Sequence, residues 1–266
     1  MSANAIIEVE NLVAHYGATP VLKGISMSVE PGEIMVIMGG SGSGKSTFLR
    51  HLLSLMAPTS GAIRILGQDI TRLRGRPMTE LRKKIGVAFQ SGALFSSLTV
   101  GENVMLPLRE HARLDQSTME IMMRLKLDFV NLAGCENLMP AQLSGGMIKR
   151  AALARAIVMD PKVLFLDEPS AGLDPVVAAA LDELILDLRN ATGMSLVVVT
   201  HELESAFKIA DRITVLDRGN ILVCATVAEV KNSSNDRVQA LLNRRVEHIE
   251  LNPEEYLSRL TGQHLN

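Results

Sequence analysis

With 266 residues, 47% of them hydrophobic, the chain can bury a substantial core in one large domain or two lobes. A formal net charge of -2 gives no global pull toward nucleic acid or an acidic membrane surface. The two cysteines, Cys135 and Cys224, are too few for a disulfide framework and read as reduced thiols of a cytosolic protein. The opening residues MSANAIIEVENL lack a basic start and place Glu8 and Glu10 where a secretory leader is apolar. No apolar run approaches the ~20 residues of a membrane-spanning helix. The expectation is a chain that, if it serves a membrane, does so from the cytoplasmic side through a partner.

Short β-rich runs come first, at 6–10 and 24–29. EIMVIMG (33–39) follows and is apolar throughout, as a strand covered on both faces requires. A helix is expected from Ser46 to about Met56, closed by Pro58. GAIRILG (61–67) is a strand between glycines, residues 72–84 are basic, and IGVAFQ (85–90) is a further apolar strand. From 91 to 155 the pattern is helical, with Met and Leu at helical spacing in DQSTMEIMMRLKL (115–127). After Asp160-Pro161 strands return at 162–167, 195–200, 212–217 and 220–225, with a helix from Pro175 to about Asn190. This alternation predicts an α/β fold with a largely parallel sheet, split by a helical insertion. The tail from Lys231 is polar, with amphipathic pieces at 236–243 and 253–260.

GGSGSGKST (39–47) matches G-x-x-x-x-G-K-[ST] through Gly39, Gly44, Lys45 and Ser46. It joins an apolar strand to a helix, the context that makes the motif a phosphate-binding loop rather than a Gly-rich turn. Its glycines let backbone N–H groups close around phosphates, Lys45 adds positive charge, and the Ser46 hydroxyl can ligate Mg²⁺. VLFLDEP (163–169) delivers Asp167 to a strand end, where it can hold the same ion, and Glu168 beside it can polarise an attacking water. Taken alone, Glu168 is also a solvated charge at a strand end. His201, in THE (200–202), and Gln90, closing IGVAFQ, end two more strands at the carboxyl edge where ligands sit in such sheets. His201 is a candidate γ-phosphate contact. Gln90 can bridge Mg²⁺, water and the insertion, or simply cap its strand. Tyr16 can stack on an adenine ring, or pack as a half-buried loop residue. In LSGGMIKRAALARAI (143–157), Ser144 is a good N-cap, and Gly145 and Gly146 leave backbone amides free at the positive end of a helix. Because one phosphate site already exists, this second one can serve a nucleotide on another copy in a two-fold dimer; the alternative is a capped helix with no ligand, against which its glycines argue mildly.

Together these motifs resemble the ATP-binding subunits of ABC transporters, from Ile6 to about Val230. The resemblance implies a P-loop NTPase (RecA-like) α/β core with an N-terminal antiparallel β subdomain and a helical insertion specific to that family. The core would comprise residues 1–90 and 156–230, the insertion 91–155 and a C-terminal extension 231–266. It implies an ATPase that works as a homodimer, with each ATP between one Walker A loop and the opposite signature loop. ATP would be held by Tyr16, by Gly39, Gly40, Ser41, Gly42, Ser43, Gly44, Lys45, Ser46 and Thr47, and by Ser144, Gly145 and Gly146 across the interface, with Asp174 of the D-loop SAGLD communicating between subunits. Mg²⁺ would be held by Ser46, Gln90 and Asp167, and Glu168, His201 and Gln90 would be catalytic. One position departs from the family's LSGGQ: the fifth residue is Met147, which removes whatever contact the usual amide makes.

FQSGALF (89–95), NVMLPLREH (103–111) and LSGGM followed by a basic pair resemble, within that family, the Mla-type branch that transports phospholipid and maintains outer-membrane lipid asymmetry. That resemblance implies an inner-membrane permease as partner, with a small STAS-domain protein and a lipid-binding substrate-transfer subunit. It places the chain peripherally on the cytoplasmic face of the inner membrane. The alternative within transport is the ATPase subunit for another solute. A soluble clamp on DNA or the ribosome would favour tandem cassettes or a long coiled coil, and a GTP switch would need N-K-x-D; the chain has none of these. The basic run (Arg72, Arg74, Arg76, Arg82, Lys83, Lys84) reads as a solvated face, with contact to phospholipid head groups or a permease as the alternative. No aromatics are interleaved in it as nucleic-acid binding would require. The Met-rich stretch 119–123 reads as insertion core, with a partner groove as the lesser reading.

Overall fold

The computed structural model describes residues 5–243. The second amphipathic piece of the tail, 253–260, lies outside these residues. β1 (Ile7–Tyr16) and β2 (Thr19–Val29) form an antiparallel hairpin that runs well past the expected strand at 6–10. Ile7 and Val9 face inward, then Leu12 and Ala14, with a register shift between Val9 and Leu12 and Asn11 at φ 45°. This bulge breaks the period-two alternation, so the second half of the strand is masked in the sequence pattern.

β3 (Ile34–Gly39) is buried at every residue, as its apolar run predicts. α1 (Lys45–Leu52) ends four residues before the expected Met56. Ser54, at φ 52°, donates its N–H to the His51 carbonyl, and the Leu55 N–H bonds to the Arg50 carbonyl. This is a helix-terminating turn that a Gly usually announces; here a Ser fills it. β4 (Ser60–Ile65), β5 (Gln68–Asp69), α2 (Gly75–Arg82) and β6 (Ile85–Ala88) follow. α2 occupies the basic run, burying Met78 and Leu81 while Arg76 and Arg82 stay exposed, as a solvated face requires.

The segment between β6 and the next strand is helical: α3 (Val100–His111), α4 (Gln116–Phe129) and α5 (Gly145–Ile157). Thr99 caps α3 in a reciprocal box with Glu102. Met119, Met123 and Leu127 of α4 point into the core, and Ile121 and Leu125 are exposed. β7 (Val163–Asp167), α6 (Pro175–Thr192), β8 (Ser195–Val199), α7 (Leu203–Ile209), β9 (Arg212–Asp217) and β10 (Asn220–Thr226) complete the core, and α8 (Val227–Lys231) and α9 (Asp236–Leu242) close the described chain.

Two sheets result. A four-stranded antiparallel sheet has the order β2-β1-β4-β5, and a six-stranded sheet the order β10-β9-β3-β8-β7-β6. The larger is parallel from β9 to β6, and only β10 runs antiparallel. One face of the larger sheet (Met35, Ile37, Phe165, Val197, Val199) packs with Phe48 and Leu52 of α1 and the antiparallel sheet. The other face (Val36, Met38, Leu164, Leu166, Val198) packs with α5, α6 and α7. No helix among the described residues is long and apolar enough to cross a membrane.

Asn103 is wholly buried in α3 and closes the segment ahead of it. Its Oδ1 accepts from the Phe95 N–H at 2.7 Å, and its Nδ2 donates to the carbonyls of Phe95 (3.0 Å), Leu98 (3.1 Å) and Thr99 (2.9 Å). Asn103→Ala strands these groups and lowers unfolding free energy by about 2–3 kcal/mol, read by urea denaturation.

Candidate functional site

The parallel strands β3, β7 and β8 end on one edge, and the loops leaving that edge carry the motif residues. Between β3 and α1, a side chain at Gly39 would place its Cβ 2.2 Å from the Leu216 carbonyl oxygen and 2.7 Å from Ser43 Oγ. Only glycine fits there. Gly44 sits at φ 107° as N-cap of α1, so the chain turns into the helix in a conformation that a side chain disfavours. Gly40, Ser41, Gly42 and Ser46 are exposed, and the first turn of α1 carries no acidic residue to offset its positive end. Ser43 Oγ is buried without a hydrogen-bond partner. Lys45 is folded back on its own loop, donating to the carbonyls of Gly39 (2.8 Å) and Gly40 (3.0 Å). Burial pulls the pKa of its ammonium down, opposed by the carboxylates of Glu168 and Asp167. An orphaned hydroxyl, free helix amides and a poised ammonium fit a bound polyphosphate.

Asp167 closes β7, and burial, reinforced by the neighbouring Glu168, raises its pKa. Glu168 stands at φ 48°, a left-handed conformation rare for a non-glycine residue. Its N–H donates to the Val199 carbonyl at 2.8 Å, its Oε2 lies 2.8 Å from His201 Nδ1 and accepts from the His201 N–H at 3.3 Å, and its carbonyl accepts from Lys149 Nζ at 3.0 Å and from the Ala171 N–H at 3.3 Å. Both His201 nitrogens face carboxylates, Nε2 lying 3.3 Å from Glu202 Oε1. Gln90 lies two residues beyond β6, in an exposed turn rather than on the strand itself, and its carbonyl accepts from Lys149. Ser46, Asp167 and Gln90 offer a hydroxyl, a carboxylate and an amide, all hard oxygen donors that suit Mg²⁺. No group of three or more His, Cys, Asp or Glu among the described residues could hold a metal. An ion here would therefore depend on phosphate oxygens as well, the usual arrangement for Mg²⁺.

Tyr16, the last residue of β1, is half exposed and leans on the outer face of α1. Its hydroxyl lies 3.6 Å from Met56 Sδ and accepts from Arg50 Nη1 at 3.4 Å. Thr47 and Arg50 lower its pKa. Its ring thus stands beside the P-loop helix with one surface open.

Ser144 caps α5, its Oγ accepting from the Met147 N–H at 3.3 Å, and Gly145, the first residue of the helix, is exposed. The second glycine has a packing reason: a Cβ at Gly146 would come within 2.7 Å of Val177 Cγ1 on α6. Met147 packs half-buried against the core, a place an apolar side chain fills without a polar partner. Asp174 caps α6 through Oδ1, which accepts from Val176 and Val177 N–H at 3.1 and 3.0 Å. The structure brings together 39–47, Asp167, Glu168, His201 and Gln90. Helical spacing sets Lys149 on a different face from the inward-pointing Ile148, Ala152, Leu153 and Ile157, yet it reaches two of these motifs. The same spacing passes over Arg155, which donates to the carbonyls of Gly92 (2.9 Å) and Ala93 (2.7 Å). Neither spacing nor composition marks these contacts, because α5 is packed on nearly every side.

Residues 22–171 match the ABC transporter family. The chain belongs to the ABC transporter ATP-binding family. It is 38% identical over 237 residues (89% of the chain, 90% of the relative) to the intermembrane phospholipid transport system ATP-binding protein MlaF of Haemophilus influenzae. It is 36% identical over 238 residues to the Escherichia coli K12 protein of the same description (90% and 88%). It is also 37% identical over 245 residues (92% and 71%) to a probable ribonucleotide transport ATP-binding protein, mkl, of Mycobacterium leprae. Among solved structures it is similar to the dimeric ATP-binding cassette MJ0796 in a post-hydrolysis state bound to ADP and Pi (TM-score 0.77, 31% identity, 83% of this chain and 98% of that one). It is likewise similar to cbiO1 of Clostridium perfringens, part of the ABC transporter complex cbiONQ (TM-score 0.79, 29% identity, 96% and 99%). The chain is an ABC-type ATPase that binds ATP, and its α/β core is a P-loop NTPase fold.

Gly39→Ala forces the Leu216 carbonyl to move. It lowers unfolding free energy by about 1–3 kcal/mol, and it weakens retention of labelled ATP on the folded fraction.

Proposed function

We propose that this ATPase works as a homodimer that powers intermembrane phospholipid transport from the cytoplasmic face of the inner membrane, held there by permease subunits. The observation that carries the hydrolytic part is the Glu168–His201 pair at 2.8 Å beside Asp167, on the strand edge that also bears the P-loop. Residues 39–47 would close on the phosphates, Lys45 exchanging its loop carbonyls for phosphate oxygens, and Tyr16 would stack on the adenine. Ser46, Asp167 and Gln90 would hold Mg²⁺, which when bound neutralises phosphate charge. Glu168 takes a proton from the attacking water. His201 occupies Oε2, leaving Oε1 for that water, and it exchanges Glu202 for the γ-phosphate through Nε2. Residues 1–90 with 156–230 act as the catalytic core, 91–155 as the signature-bearing lobe, and 231–266 as an extension toward partners. A STAS-domain protein and a lipid-binding substrate-transfer subunit complete the proposed assembly, with no nucleic acid.

Ser144, Gly145 and Gly146 are read as the cap on the ATP of the opposite subunit, with Asp174 at the same interface. The exposure of Ser144 and Gly145 and the dimeric state of MJ0796 support this. The cargo reading is supported by the two MlaF relatives. The mkl relative favours a second reading, an ATPase subunit for another solute.

Ser144→Arg and Lys45→Ala each abolish hydrolysis as homodimers. A 1:1 mixture recovers up to roughly a quarter of the wild-type rate, since half the dimers are mixed and each has one intact site. A mixture as inert as its parents would place the loop's action within its own subunit. Affinity purification from native membranes recovers a lipid permease with a STAS-domain partner; recovery of a permease for another class of solute would sink the phospholipid reading.

A further inference from the structure

α5 grips the loop after β6 at two points, Lys149 and Arg155. It lies so close that a Cβ on Gly92 would stand 2.6 Å from Ile148 Cγ2. Arg155 directs its guanidinium to that loop, at the carbonyls of Gly92 and Ala93. Lys149 does more: from the second turn of the signature helix, its ammonium donates both to the Gln90 carbonyl and to the Glu168 carbonyl at 3.0 Å. One side chain thus joins the segments of three motifs within a single subunit. Glu168 is held in its left-handed conformation from β8, from His201, from the Ala171 N–H in the loop that follows it, and from Lys149. Only the last of these comes from the helical segment. A shift of α5 against the sheet therefore pulls on the Glu168 peptide directly, and on the Gln90 loop with it.

We infer that Lys149 is a positioning residue that couples the pose of the signature helix to that of Glu168, through the Glu168 and Gln90 carbonyls. The inference rests on the reading of Glu168 as the proton acceptor. A cationic donor with three N–H groups suits two converging carbonyls, and an Arg can span the same pair. A Met of similar length keeps the packing of the stem and removes both hydrogen bonds.

The test uses the full-length chain, with kcat and KM for ATP from steady-state hydrolysis and ATP affinity from equilibrium binding. Lys149→Met is expected to lower kcat by about tenfold while affinity and KM stay within about twofold, the pattern of a group acting on the chemical step. Lys149→Arg restores at least half of the lost rate. Arg155→Met, which loosens the same loop without touching Glu168, keeps kcat within about threefold of wild type. In a Glu168→Gln background, Lys149→Met causes no further loss of the residual rate, because two residues acting through one group are not additive. Three results would overturn the inference: wild-type kcat in Lys149→Met, an equal loss in Arg155→Met, or a full additional loss in the double variant. Should Lys149→Met fail to fold, Lys149→Gln compared with Lys149→Arg carries the same readouts. Wild-type turnover in Glu168→Gln alone would overturn the assignment of the proton acceptor, and it is read separately from the Lys149 variants.

Discussion

The backbone of Glu168 is the constraint on which the motif-bearing strand edge depends. A left-handed conformation costs a non-glycine residue roughly 1–2 kcal/mol, so it persists only where the surroundings over-determine it. Here the surroundings are the β7–β8 register, which sets Val199 opposite Asp167 and supplies the carbonyl for the Glu168 N–H. His201, two residues beyond β8, then reaches the carboxylate, and α5 supplies Lys149. The strain turns Glu168 aside while Asp167 completes the strand, so adjacent carboxylates take different surroundings. Asp167 is half-buried with a raised pKa. Glu168 is hydrogen-bonded to the imidazole.

That arrangement needs a sheet rigid enough to hold strand ends in place. The strands at the centre, β3, β7 and β8, are buried almost throughout and alternate their side chains between two separate cores. The core on one face ties the sheet to α1 and the antiparallel sheet, hence to the P-loop and Tyr16. The core on the other face ties it to α5, α6 and α7, hence to the signature and D-loop segments. Each motif group belongs to one packing layer, and the strand ends are where the layers meet.

The strands were legible because burial on both faces leaves a continuous apolar run, as in IMVIMG and VLFLD. The P-loop was legible because its glycines are forced, Gly39 by the Leu216 carbonyl and Gly44 by its positive φ. What escaped did so for local reasons. The bulge at Asn11 broke the alternation of β1, Ser54 took a turn position that usually calls for Gly, and α7 has only seven residues, too few to show a period. Lys149 escaped because a charge on a helix reads as a charge toward water. The half of the site that a second copy would supply has no trace in one chain beyond exposed amides at Ser144 and Gly145.

The character of α5 explains both the exposure of those amides and the inward turn of its cations. Ala151, Ala152, Leu153, Ala154 and Ile157 are all buried, so the helix is enclosed on most of its circumference. Small side chains let α3, α4 and α6 approach it closely. A helix so enclosed has little room to send long cations outward, and Lys149 and Arg155 instead end on backbone carbonyls of neighbouring loops, which satisfies those carbonyls and desolvates the cations only partly. Met147 belongs to the same enclosed stretch, where an apolar group packs without needing a polar partner. Only the first turn, Ser144 and Gly145, emerges from the packing. The most accessible part of this helix is therefore its N-terminal end, one turn ahead of Lys149.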